Sequence, residues 1–153
     1  MKMLLLLLLF FVSSCGIFSP YSNRKFVYAT NGDAEKVVRI KVPRGFKIAS
    51  VETDSAGNKE QIYRYANGAV YYAAYSLDTS RTYQPIDTSM AQPLPHRLGG
   101  WIYKGQDSSH LFWREIRMDS LTFGYRHVSR DNEIKFDEAL NYSSLYGERR
   151  RKR

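Results

Sequence analysis

Two tyrosine-rich runs, residues 61–66 and 69–76, meet across Asn67-Gly68, and this arrangement constrains the fold more than any other stretch of the chain. Asn-Gly favours a two-residue hairpin loop, because both positions of that turn want positive φ. With such a loop Tyr65 opposes Val70, Arg64 opposes Tyr71, Tyr63 opposes Tyr72 and Ile62 opposes Ala73. One face then carries Tyr63, Tyr65, Val70, Tyr72 and Ala74, and the other carries Ile62, Arg64, Tyr71, Ala73 and Tyr75. Both faces are apolar enough to bury, so the hairpin reads as central to its sheet.

A second hairpin reads from residues 111–118 and 121–128 around Asp119-Ser120. Phe112, Ile116, Met118, Leu121, Phe123 and Tyr125 fall on one side, and Trp113, Glu115, Arg117 and Arg126 on the other, with Trp113 opposite Arg126. Further strands are expected at 36–42 and 46–51, the latter with Phe46 and Ile48 on one face, and at 101–104. A helix capped by Ser129 or Asp131 extends to about residue 145, its acidic first turns favourably placed against the helix dipole. Ile134, Phe136, Ala139, Leu140 and Ser143 point to the sheet, and Gly147 stops the helix. Residues 77–98 carry Pro85, Pro93 and Pro95 without a sustained period and read as a long surface excursion. The expected class is α+β: an antiparallel β-sheet built around two hairpins, packed by one C-terminal helix.

The N-terminus has a different grammar. Lys2 precedes an apolar stretch from Met3 to Val12, followed by Ser13, Ser14 and Cys15, the charged, apolar and small-residue order of an export signal. The run Val12-Ser13-Ser14-Cys15 resembles the lipobox of bacterial lipoproteins, with an aliphatic residue three before the cysteine and small residues beside the cut. That resemblance covers only residues 1–15, and it implies cleavage before Cys15 and fatty acylation of its sulfur. Ten apolar residues are too few to cross a bilayer, which takes about 20. Gly16, rather than Asp, follows the cysteine, and under the best-studied sorting rule this implies the outer membrane, facing the periplasm. The expected organisation is a signal peptide at 1–14, a lipidated tether at 15–25, one globular domain at 26–147 and a basic tail at 148–153.

Composition limits the function classes. The chain has 23 Lys and Arg against 15 Asp and Glu, yet Arg149, Arg150, Arg151, Lys152 and Arg153 supply five of the cations. A nucleic-acid interface wants its basic residues on the fold itself, so no nucleic-acid partner is expected. Cys15 is the sole cysteine, which excludes an internal disulfide. His96, His110 and His127 lie in no catalytic or metal-ligand spacing, so no catalytic residue, metal or cofactor is expected, and His127 reads as a partly buried structural side chain. The most site-like group is Trp113, Arg114, Glu115, Arg117 and Arg126, since an aromatic flanked by guanidinium groups can stack on a sugar and pair with a carboxylate. The plain alternative is a cation-π pair and salt bridge that merely cover the sheet. The expected function is a non-enzymatic binding or structural module of the cell envelope, held to the membrane through lipid on Cys15 and engaging a protein or glycan. An envelope enzyme acting on peptidoglycan or polysaccharide, and an inhibitor of a toxin or hydrolase, are the alternatives.

Overall fold

A computed structural model describes residues 19–29, 35–78, 93–97 and 99–148, with side chains through 144. The signal peptide, Cys15, the middle of the 77–98 excursion and the basic tail lie outside the described residues. Among the described residues nine strands run in the order β1 (Tyr21–Tyr28), β2 (Lys36–Pro43), β3 (Phe46–Thr53), β4 (Lys59–Tyr65), β5 (Val70–Tyr75), β6 (Leu94–Pro95), β7 (Trp101–Gln106), β8 (Phe112–Met118) and β9 (Leu121–Val128). One helix, α1 (Arg130–Glu148), follows. Strands β3-β4-β5-β9-β8-β7-β6 form a seven-stranded sheet, and β1 and β2 form a second sheet of their own.

This corrects the expected α+β class. The described residues are predominantly β, in two sheets with a single helix. The cause is β1, which pairs antiparallel with β2 from Tyr21↔Pro43 to Tyr28↔Lys36. Residues 21–25, expected as tether, therefore belong to a strand. Lys25 and Arg24 obscure its alternation, but Phe26 and Tyr28 are buried and hold it to the body.

The body has two layers. One is the large sheet; the other is α1 lying beside the β1–β2 sheet. Phe136 of α1 meets the rings of Tyr65, Tyr71 and Tyr125, and Tyr28 of β1 stacks on Tyr75 with centroids 4.7 Å apart. Phe26, Val38, Ile40 and Val42 complete the core from the β1–β2 side, and Ala139 and Leu140 from the helix. The Ser143 hydroxyl ties the layers, 2.8 Å from the Tyr71 hydroxyl and 3.1 Å from the Lys41 amide, which donates to it.

Register in the first hairpin is displaced by one residue from the expected one. The Gly68 amide donates to the Tyr65 carbonyl at 3.1 Å, and the Tyr65 amide donates to Ala69 at 2.9 Å. The loop is thus Ala66-Asn67-Gly68, a three-residue turn in which only Gly68 takes positive φ, at 84°. Tyr63 pairs with Tyr71, Ile62 with Tyr72 and Arg64 with Val70. A one-residue slip exchanges faces, so Tyr63, Tyr71, Ala73 and Tyr75 face the helix while Ile62, Val70 and Tyr72 form a separate cluster on the far face. The second hairpin turns at Asp119-Ser120 as expected, with Met118 opposite Leu121.

Smaller corrections have local causes. A bulge between Phe46 and Ile48 separates those two residues. Phe46 packs edge-on against Tyr63 at 5.0 Å, whereas Ile48 is 56% exposed. Ile134, expected toward the sheet, is 74% exposed, and α1 runs through Gly147.

On the far face Tyr72 lies across Gly124 of the neighbouring strand, and its hydroxyl donates to Glu115 one strand further on. A Cβ on Gly124 would come within 2.3 Å of the Tyr72 ring, so only glycine admits this crossing. Gly124→Ala is therefore expected to cost about 1–3 kcal/mol through overpacking. Urea unfolding measures this, and a midpoint equal to that of the parent chain refutes it.

Candidate functional site

Between α1 and the β6–β7 edge of the large sheet lies a cleft of about 470 Å³. Helix α1 packs on β9 and β8, and the cleft opens where β7 and β6 extend past them. Register brings one row of side chains to its floor: Lys104 pairs with Arg114, Arg114 with Tyr125, and Tyr125 with Tyr71. Ile102 and Gln106 come from the same face of β7, and Glu133 and Asp137 reach in from α1. Those two carboxylates are four residues apart and so project from one side of the helix.

Asp137 organises the floor. Its Oδ1 accepts a hydrogen bond from the Tyr125 hydroxyl at 2.8 Å and lies 2.9 Å from Arg114 Nη1. Burial, reinforced by the charge and hydrogen bond of Asp137, pushes the Tyr125 hydroxyl well above its ordinary range. Arg114 Nε is buried without a hydrogen-bond partner. An arginine 14% exposed, a lysine and two carboxylates around one cleft can together engage a polar ligand of mixed charge.

Of the residues read from sequence as one constellation, only Trp113 and Arg114 line this cleft. A bulge lies between Phe112 and Arg114, because Phe112 pairs with Val128 while Arg114 pairs with Tyr125. Arg126 and His127 together span the stretch of β9 across from Trp113, so the expected one-to-one pairing of Trp113 with Arg126 does not form. Trp113 instead lies against Gly105 and is mostly buried. Glu115 is 1% exposed on the far face, accepting from Tyr72 and from Arg117 Nε. Arg117 also stacks over Tyr103, its Cζ 4.5 Å from the ring centroid. These contacts make Glu115 and Arg117 part of the sheet's own packing. Arg126 shares that far face, with its Nε buried and unsatisfied.

The histidines stand apart from the cleft lining. His127 leaves the alternation at the bulge, with φ of 55°, and its ring is 47% exposed with Nδ1 2.9 Å from Asp107. His96 Nε2 lies 3.3 Å from the Ser144 hydroxyl. Among the described residues no group of His, Cys, Asp and Glu is arranged to hold a metal ion, and no helix is long and apolar enough to cross a membrane. Sequence reasoning missed Lys104, Glu133 and Asp137 as cleft residues. The usable signal was the i, i+4 spacing of the two carboxylates, which also reads as ordinary dipole matching.

Comparison with known proteins returns no matching family model, no matching curated protein and no matching solved structure.

Asp137→Asn removes a charged acceptor from both Tyr125 and Arg114. Because Asp137 is 34% exposed, the expected cost is about 1–2 kcal/mol, below that of a fully buried pair. The Tyr125 hydroxyl should also titrate at lower pH once the neighbouring negative charge is gone. Urea unfolding and ultraviolet titration of tyrosine check the two effects, and an unchanged midpoint removes Asp137 from its organising role.

Proposed function

We propose that this chain is a lipid-anchored lipoprotein of the bacterial cell envelope, attached to the outer membrane facing the periplasm, whose folded body is a non-enzymatic binding module. The observation that carries the reading is the order Lys2, apolar stretch to Val12, then Ser13-Ser14-Cys15. Two or three acyl chains on one cysteine hold a protein to a bilayer far longer than one chain does, at about 0.8 kcal/mol per buried methylene. The binding reading is supported by the cleft, which gathers Arg114 and Lys104 beside Glu133 and Asp137. A guanidinium, an ammonium and two carboxylates around one polar cleft fit a glycan or a peptide segment of an envelope partner.

The anchor is tested by growing cells with labelled fatty acid and floating their membranes. The chain is expected to carry label and to float, whereas Cys15→Ala stays unlabelled and keeps its N-terminal segment. A parent chain that retains Met1 and takes up no label overturns the reading.

One observation favours the second reading, an envelope enzyme acting on glycan. Glu133 and Asp137 line the same cleft, and glycoside cleavage uses two carboxylates within about 10 Å of each other. Asp137 is held in place by Arg114 and Tyr125, which fits a positioned carboxylate beside Glu133. In that case the purified chain releases fragments from peptidoglycan and Glu133→Gln abolishes the release. Retention of peptidoglycan or its fragments without any cleavage supports the binding module instead.

A further inference from the structure

A shallow cavity of about 210 Å³ lies on the outer side of the β1–β2 sheet, lined by Asn23, Arg24, Lys25, Arg39 and Tyr142. Its charge arrangement is unfavourable for a chain standing alone in water. Lys25 sits directly opposite Arg39, and Asn23 opposite Lys41, on the face turned away from the core. Like charges opposed in an antiparallel pair repel. Lys25 and Arg39 are exposed, and neither is joined to an acid among the described residues. Lys41 lies over the rings of Tyr142 and Tyr21, at 4.2 and 5.2 Å, which holds its charge on the same face. Glu138, the helix carboxylate that reaches β1, already accepts a hydrogen bond from the Tyr21 hydroxyl.

Sequence places this face close to Cys15. Six steps of chain separate Cys15 from Tyr21, and at no more than about 3.6 Å each they span roughly 20 Å. A lipid on Cys15 therefore keeps β1 near the headgroups. Helix α1, whose Tyr142 lines the cavity, ends at Glu148, and five further basic residues follow it in sequence.

We infer that the outward face of the β1–β2 sheet docks on anionic lipid headgroups beside the anchor, with Lys25, Arg39 and Lys41 against headgroup phosphates. The inference rests on the anchored reading above and adds an orientation to it. Docking relieves the opposed cations and leaves Glu133 of the cleft about 14 Å along the helix from Tyr142. Each cation near an anionic bilayer strengthens attachment about fivefold.

The test uses the full lipidated chain, reconstituted by its anchor into vesicles of phosphatidylcholine alone or of phosphatidylcholine mixed with phosphatidylglycerol. A water-soluble amine-reactive reagent labels the lysines, and mass spectrometry reads the rate at each. Lys25 is expected to react about fivefold more slowly on the anionic vesicles, while Lys104 at the cleft reacts equally on both. Salt at about 1 M should erase the difference, and so should Arg39→Glu, with a melting temperature no lower than the parent's showing that the fold is intact. Equal Lys25 rates on vesicles that both carry the chain overturn the docked orientation and leave the anchor standing. A chain that floats with neither kind of vesicle overturns the anchor, and the docking with it.

Discussion

The hydrogen bond from the Gly68 amide to the Tyr65 carbonyl decides which way every side chain of the central hairpin points. It closes a three-residue turn rather than a two-residue one, and the side-chain period of a strand is two. With this turn Tyr63 and Tyr71 share the face that meets Phe136 and the helix; shifted by one, Tyr63 would share its face with Val70 and Tyr72, and Tyr71 with Ile62. With β5 the strand turned over, Tyr71 could not meet Ser143, and Tyr72 could not cross Gly124 to Glu115. Both the join between the layers and the polar contact on the far face depend on that single register.

Legibility from sequence follows the same physics. The Asp119-Ser120 loop was readable because flanking alternation left room for only two residues, and the strand faces next to it were then correct. The Asn67-Gly68 loop was not, because Gly68 satisfies positive φ equally well at the last position of a three-residue turn. The strand at Lys36–Pro43 announced itself through Val38, Ile40 and Val42. Its partner Tyr21–Tyr28 did not, since Asn23, Arg24 and Lys25 interrupt the apolar period and only Phe26 and Tyr28 are buried. Missing that strand is what turned a two-sheet, largely β body into an expected α+β one.

The cleft was legible only in part for a different reason. Its walls come from β6, β7, β8, β9 and α1, and what joins them is cross-strand register rather than spacing. A local pattern could nominate Trp113 and Arg114, but it grouped them with Glu115, Arg117 and Arg126, which alternate onto the far face. The bulge opposite Trp113 then removed the pairing with Arg126 that had held the group together. Bulges re-aim side chains and are enriched beside functional sites, and here one sits at the rim of the cleft.

Three groups of basic residues stand in different settings, and the contrast between them carries the docking argument. On the helix side of the large sheet, Arg114 is answered by Asp137. On the far side, Arg117 is answered by Glu115 and by the ring of Tyr103. On the β1–β2 sheet Lys25 and Arg39 oppose each other, and no described acid answers either of them. A fold that neutralises its cations by side-chain contacts in two places, and sets them in repulsion in a third, gains nothing in stability from the third. Under the proposed anchor at Cys15, these opposed cations become favourable once a negatively charged surface supplies the missing counter-charge.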